Sequence, residues 1–260
     1  MSAAETLLYV EGLTVSFDGF RALDSLNVIL DRTERIRILI GPNGAGKTTL
    51  FDVLTGSVTP IAGRVLFQDT INMLGQSEHA IANLGVIRKF QTPSVFPGHT
   101  VFENMVLAGG QKRFGATLRT RGRSVDRDRI HGVLAQVGLL DLIGAPAGTL
   151  SHGQKQWLEI AMLLVEDPML LLLDEPVAGM TRPERDRTAA LLESIVDRTT
   201  CSIVLIEHDM QFVRQIARRG HKVTVMHEGS VLSEGPLERV QSDPRVLEAY
   251  LGRSRVPADT

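Results

Sequence analysis

One nonapeptide restricts the fold of this 260-residue chain more than any other feature. Gly41-Pro-Asn-Gly-Ala-Gly-Lys47-Thr48-Thr49 fits the pattern G-x-x-x-x-G-K-[ST]. It follows Arg35–Ile40, an Arg-Ile-Arg-Ile-Leu-Ile run that reads as a strand feeding a tight loop. Leu50–Thr55 continues as a helix, with Gly56 a candidate for its end. Strand, glycine loop and helix in that order make a phosphate cradle. The glycines remove side chains so that successive backbone N–H groups can converge on phosphate oxygens, and the helix adds the positive end of its dipole. The candidate phosphate-binding residues are Asn43, Gly44, Ala45, Gly46, Lys47, Thr48 and Thr49. Lys47 is placed to reach the β- and γ-phosphates, and the Thr48 hydroxyl to ligate Mg²⁺.

Such a loop needs a carboxylate for the metal and a group to orient water. Leu170–Leu173, a continuous apolar run of buried-strand length, is followed by Asp174-Glu175-Pro176. A buried strand ending in Asp174 puts that carboxylate at the C-terminal edge of a sheet, where open α/β sheets bind ligands. Asp174 is the expected Mg²⁺ ligand, through water. Glu175, one residue on, is the expected general base that polarises the attacking water.

The rest of the chain fits around these two motifs. Leu7–Phe17, Ser25–Leu30, Gly63–Gln68 and Gly85–Phe90 read as strands. Val101–Gly109, Arg127–Val137 and Gln154–Val165 have helical spacing, with no convincing strand between them. Arg182–Asp197 and Met210–Arg219 are helical, Cys201–Ile206 is a buried strand, and Lys222–His227 and Ser230–Glu234 frame a hairpin turn at Glu228-Gly229. Strands alternating with helices at both ends imply a parallel α/β core, and the middle reads as an inserted helical subdomain.

Composition excludes several other classes. The longest apolar stretches, Ile160–Val165 and Met169–Leu173, fall far short of the ~20 residues of a membrane helix. Met1–Thr6 is small and polar, without the charged-then-apolar order of a secretory signal. Net charge is −2, so no generalised polyanion-binding surface is implied and no nucleic-acid partner is expected. The single cysteine, Cys201, excludes an intrachain disulfide or a multi-cysteine metal site and reads as a buried strand thiol. His79, His99, His131, His221 and His227 have no paired ligand spacing. These bounds are those of a soluble cytoplasmic protein. Lys112–Arg129 carries seven Lys/Arg against two Asp, either a solvated loop or a face toward lipid headgroups. Trp157 reads as core.

Leu150-Ser151-His152-Gly153-Gln154, lying between the phosphate loop and Asp174-Glu175, resembles the Leu-Ser-Gly-Gly-Gln signature of the ATP-binding cassette family. The resemblance covers about residues 7–252 and implies a P-loop NTPase fold: a RecA-like parallel sheet with an antiparallel β subdomain and an inserted α-helical subdomain. It implies one cassette over 1–260, with the core at 1–92 and 166–252, the helical subdomain at 93–165, and a frayed tail at 253–260.

The resemblance also implies an ATPase using ATP and Mg²⁺, in which two cassettes pack head to tail. Ser151, Gly153 and Gln154 then belong to the signature that closes onto ATP held by the other cassette. His152 replaces the first of the paired glycines. Gln91, in Arg-Lys-Phe-Gln-Thr-Pro, resembles the glutamine that reaches the metal, and His208, in Ile-Glu-His-Asp, the switch histidine that contacts the γ-phosphate. Phe17 resembles the aromatic that stacks on adenine, with Phe20 a nearby competitor. Val177-Ala-Gly-Met-Thr181 stands at the D-loop, with Thr181 in place of the usual Asp.

Gly-Val-Ile-Arg-Lys-Phe-Gln-Thr-Pro-Ser-Val-Phe (85–96) and the closing Asp243–Gly252 resemble the urea-type branch, which belongs to the amino-acid and amide importers related to branched-chain amino acid uptake. The implied partners are two membrane permease subunits, a second cassette (a homodimer or a related chain) and a solute-binding protein. The implied location is the inner face of the cell membrane. An exporter-type (lipopolysaccharide-like) cassette and a soluble non-transport ATPase remain the alternatives.

Overall fold

The structure is a computed structural model that describes residues 6–89, 95–110 and 127–251. The chain divides into two compact units, residues 1–81 with 202–260 and residues 82–201.

The first unit contains two sheets. In one, β1 (Thr6–Phe17), β2 (Phe20–Asp31), β4 (Ala62–Phe67) and β5 (Ile71–Asn72) are antiparallel in the order β2-β1-β4-β5. The first two strands meet in a tight hairpin, where Asp18 and Gly19 both take positive φ, the conformation that matches the twist of the flanking strands. In the other sheet, β3 (Ile36–Ile40) lies between β8 (Ser202–Ile206) and β9 (Lys222–His227), parallel to both, and β10 (Ser230–Gly235) returns antiparallel to β9. Helices α1 (Lys47–Leu54), α7 (Met210–Ala217), α8 (Leu237–Gln241) and α9 (Pro244–Leu251) complete this unit, and α2 (Glu78–Asn83) leads into the next.

All five residues of β3 are buried, as expected of a central parallel strand. Arg37 in its middle is only 1% exposed. An unpaired cation there would be prohibitive, and this one is saturated: it donates to Glu34, to Thr224 Oγ1 at 3.0 Å, to Glu234 Oε2 at 2.5 Å and to the Ile29 carbonyl at 3.0 Å. The parallel register (Arg37 opposite Val204, Ile38 opposite Leu205) brings the C-terminal ends of β3 and β8 to one edge. The glycine loop leaves from the first, and Glu207-His208-Asp209 from the second.

In the second unit, β6 (Val86–Lys89) pairs parallel with β7 (Leu170–Asp174), whose Leu-Leu-Leu-Leu-Asp is buried throughout. Around them run α3 (Val101–Gly110), α4 (Arg127–Val137), α5 (His152–Leu164) and α6 (Arg182–Arg198). Helix α6 follows the amphipathic pattern, burying Leu192, Ile195 and Val196 on one face. Trp157 is core, its indole N–H donating to Thr188 Oγ1 at 2.9 Å under the Arg187 guanidinium, 4.1 Å from the ring centre. Lys89 and Glu159, both buried, pair at 3.3 Å. Cys201 is buried as expected but stands one residue ahead of β8. Among the described residues, no helix is long and apolar enough to cross a membrane. Gln91, the tail at 253–260 and most of the basic stretch 112–129 lie outside the described residues.

Candidate functional site

Backbone contacts hold the glycine loop in shape, and they explain its glycines. Gly41 has φ +152°, and a Cβ there would collide with the Met226 carbonyl oxygen. At Gly46, with φ +95°, a Cβ would stand 2.5 Å from the Ala22 carbonyl oxygen. Gly44, at φ +81°, faces open space on the exposed side of the loop beside Asn43. Ala45 is buried, its N–H donating to the Pro42 carbonyl at 3.2 Å, and its own carbonyl accepts the Gly229 N–H at 3.2 Å. Lys47 opens α1 and curls over the loop, donating from Nζ to the carbonyls of Gly41 at 2.7 Å and Pro42 at 3.0 Å. Thr48 is exposed and Thr49 half-buried in the first turn, where helix N–H groups lack intrahelical partners.

The hairpin tip of β1 and β2 belongs to the same unit. Phe17 and Phe20 face each other across it, 47% and 65% exposed. Both candidate adenine platforms therefore sit at one tip, on the hairpin whose Ala22 and Leu23 abut Gly46.

His208 is exposed at the end of β8, and a residue that motif reading passed over shapes its segment. Glu207, 1% exposed, accepts the His208 N–H at 3.2 Å, while Asp209 N-caps α7 through the N–H groups of Gln211 and Phe212 at 2.9 and 3.1 Å. The turn at Glu228-Gly229 was legible as a hairpin, but its packing against the glycine loop was not.

In the second unit, Asp174 ends β7 fully buried, and Arg88 of β6 pairs with it at 3.1 Å. Glu175 follows at φ +47°, a left-handed conformation costly for a residue with a Cβ and concentrated at functional sites. The signature segment forms the N-terminus of α5. Ser151 is its N-cap, with Oγ accepting the Gln154 N–H at 3.2 Å and Gln154 Oε1 accepting the Ser151 N–H at 2.8 Å. Gly153 is buried in the first turn. The His152 ring is 3.1 Å from the Ala178 carbonyl, tying the signature to the D-loop segment. Thr181 N-caps α6.

The donor chemistry fits ATP and Mg²⁺. In the first unit, a cradle of glycines with a lysine at the start of a helix suits phosphate, and the Thr48 hydroxyl is an oxygen donor of the kind a hard cation takes; the Asp174 carboxylate of the second unit is a donor of the same kind. Among the described residues, no three His, Cys, Asp or Glu side chains cluster as a cage. A nucleotide-bound Mg²⁺ needs none, because phosphates and water supply most of its ligands.

Comparison with known proteins agrees with this arrangement. Residues 23–178 match the ABC transporter family model, and residues 230–255 match that of the branched-chain amino acid ATP-binding cassette transporter. The chain is 37% identical over 259 residues to the high-affinity branched-chain amino acid transport ATP-binding protein LivG of Escherichia coli K12, covering 96% of this chain and all of that one. It is 35% identical to BraF of Pseudomonas aeruginosa, described likewise, over 95% of this chain and 98% of that one. Among solved structures, the ADP conformation of MJ1267, an ATP-binding cassette of an ABC transporter, superposes with a TM-score of 0.82 at 28% identity, covering 95% of this chain and 99% of that one. The chain is an ATPase cassette and belongs to the ABC transporter family.

Proposed function

We propose that this chain is the ATP-hydrolysing subunit of an importer for branched-chain amino acids or a related small amide such as urea. The near full-length likeness to LivG carries this reading, and the separate match at residues 230–255 supports its amino-acid branch. Two membrane permease subunits would form the path, a solute-binding protein would deliver the cargo, and the cassette would sit on the inner face of the membrane. Within the chain, the helices between 93 and 165 form the inserted subdomain and 1–92 with 166–252 the core.

Phosphoryl transfer in such a cassette rests on positioning and electrostatics. Asn43 to Thr49 hold the phosphates, and Lys47 leaves the Gly41 and Pro42 carbonyls to neutralise charge on the β- and γ-oxygens. Thr48 and Asp174, with Gln91, would hold Mg²⁺, which supplies Lewis-acid stabilisation of the phosphate charge when bound. Glu175 accepts a proton from the attacking water, and His208 contacts the γ-phosphate. Phe17 stacks on the adenine. Ser151, Gly153 and Gln154 serve ATP held by a second cassette, either another copy or a related chain. Arg88 beside Asp174 lowers the cost of burying that carboxylate.

Uptake of labelled leucine and labelled urea by cells carrying the parent or Glu175→Gln tests both levels. Loss of one uptake in the variant names the cargo. Undiminished uptake of both, with undiminished ATPase activity of the purified variant, would remove Glu175 from the reaction and this transport from the chain.

A further inference from the structure

Glu184 lies in the first turn of α6, outside the glycine loop, the signature and the D-loop, and its two carboxylate oxygens serve different segments. Oε2 accepts the Thr181 N–H at 2.9 Å and the Thr181 O–H at 2.8 Å, the reach-back half of a capping box. Oε1 points the other way. It lies 3.5 Å from Ser151 Oγ, and it presses so closely on Gly153 that a Cβ there would collide with it. The Thr181 N–H and hydroxyl, followed by the Ser151 hydroxyl and the Gly153 N–H, hold this carboxyl below the usual range, so it is an anion at neutral pH.

Ser151 and Gly153 are the N-cap and second residue of α5, a helix end whose dipole favours a negative charge. In the two-cassette reading, on which the proposal rests, those same groups receive the γ-phosphate of ATP bound to the other chain. One set of donors cannot serve two anions at once.

We propose that Glu184 is a resident anion that occupies the signature end of α5 in the resting cassette and must withdraw when the γ-phosphate of a second copy arrives, so that it sets the ATP concentration at which two copies close. Its contacts are graded for that task. The bonds to Thr181 are short and anchor the carboxylate to the D-loop, whereas the contact with Ser151 is at the limit of hydrogen bonding and is the one that gives way. The side chain is half-buried, with exposed Pro183 beside it, so Oε1 can turn toward solvent while Oε2 stays in place. The buried Gly153 keeps the space into which the carboxylate fits, since any larger residue would collide with it. Glu184 is thus a positioning residue whose charge governs closure.

Sedimentation of the hydrolysis-blocked Glu175→Gln chain across a range of ATP concentrations provides the baseline. Glu184→Gln added to it removes the charge and keeps the cap, because Gln also serves at that position of a capping box. The ATP concentration for half-dimerisation should fall at least threefold, with the thermal midpoint of the nucleotide-free chain held within a few degrees. Glu184→Asp keeps the charge but is one methylene too short to reach both partners, and it should shift the midpoint in the same direction. A purely structural cap would move the thermal midpoint and leave the ATP midpoint unchanged. An unchanged or raised ATP midpoint in both variants, beside a Glu175→Gln chain that does dimerise, overturns this inference alone. A Glu175→Gln chain that stays monomeric in saturating ATP overturns the two-copy reading and the inference together.

Discussion

Gly229 lies outside the phosphate-binding motif, yet its substitution should weaken ATP binding. The residue turns the hairpin between β9 and β10 at φ +77°, and a methyl there would stand 2.9 Å from the Ala22 carbonyl oxygen, the Asp24 nitrogen and the Leu23 Cα. All three are backbone atoms that cannot swing aside. The left-handed conformation costs an L-residue about 1–2 kcal/mol. Forcing the strand and turn apart adds about 1–3 kcal/mol of overpacking. The displacement is passed on, because the Gly229 N–H donates to the Ala45 carbonyl and its own carbonyl accepts the Asp24 N–H at 3.0 Å. Gly220 supplies an internal control: its φ is +86°, and an added Cβ would meet nothing within 4 Å. Both alanine variants should show the backbone cost, and only Gly229→Ala the collision. The difference corresponds to roughly 2–12 °C in thermal midpoint at ~2–4 °C per kcal/mol. ATP titration should show at least a threefold weaker dissociation constant for Gly229→Ala and none for Gly220→Ala. Equal midpoints in the two variants, or an unchanged dissociation constant in Gly229→Ala, would refute the buttress.

Lys47→Ala should weaken nucleotide binding itself by about 10- to 100-fold, since a hydrogen bond from a charged group contributes about 1.5–3 kcal/mol; equal calorimetric affinities for parent and variant would contradict the role given to Lys47. His152→Gly removes one bond to the Ala178 carbonyl, so steady-state ATPase should change less than about tenfold, and a larger loss would place the imidazole in the reaction. Burial pushes the Glu34 carboxyl up, but hydrogen bonds and charges from Lys222 and Arg37 outweigh it and hold the group below its ordinary 4.5. A carboxyl lowered on folding contributes stability above its unfolded value that is lost as pH falls through the folded one, so thermal midpoints should drop through about pH 5 to 3. Glu34→Gln should flatten that limb, and profiles that remain parallel would show that the Lys222–Glu34–Arg37 cluster is not its source.

Local pattern made much of the fold legible. Arg35–Ile40 before a glycine loop, Leu170–Leu173 before two acids, and the helical periodicity of Arg127–Val137 each carry enough signal within one element to identify it, and each element lies where it was expected. Ile71–Asn72, Glu78–Asn83 and Leu237–Gln241 did not, because two to six residues hold less than two turns or one alternation of side chains. The hairpin at Glu228-Gly229 was readable because two positive-φ residues between alternating strands are a turn whatever surrounds them.

The sequence by itself determined the N-cap of α5 at Ser151 and the candidates for the proposed chemistry: the residues put forward to cradle phosphate, to supply a carboxylate for a cation and to accept a proton from water. Those properties follow from side-chain type and short spacing, which the chain carries in one dimension. Only the tertiary structure decided what stands behind those residues. Arg88 pairs with Asp174 because two parallel strands far apart in the chain share a register, Gly229 is beneath Ala45 because a distant hairpin folds onto the loop, and Glu184 reaches Ser151 because two helix N-termini converge. Each contact joins positions whose separation along the chain leaves no periodic trace, and each is fixed by how strands and helices pack to bury their apolar faces.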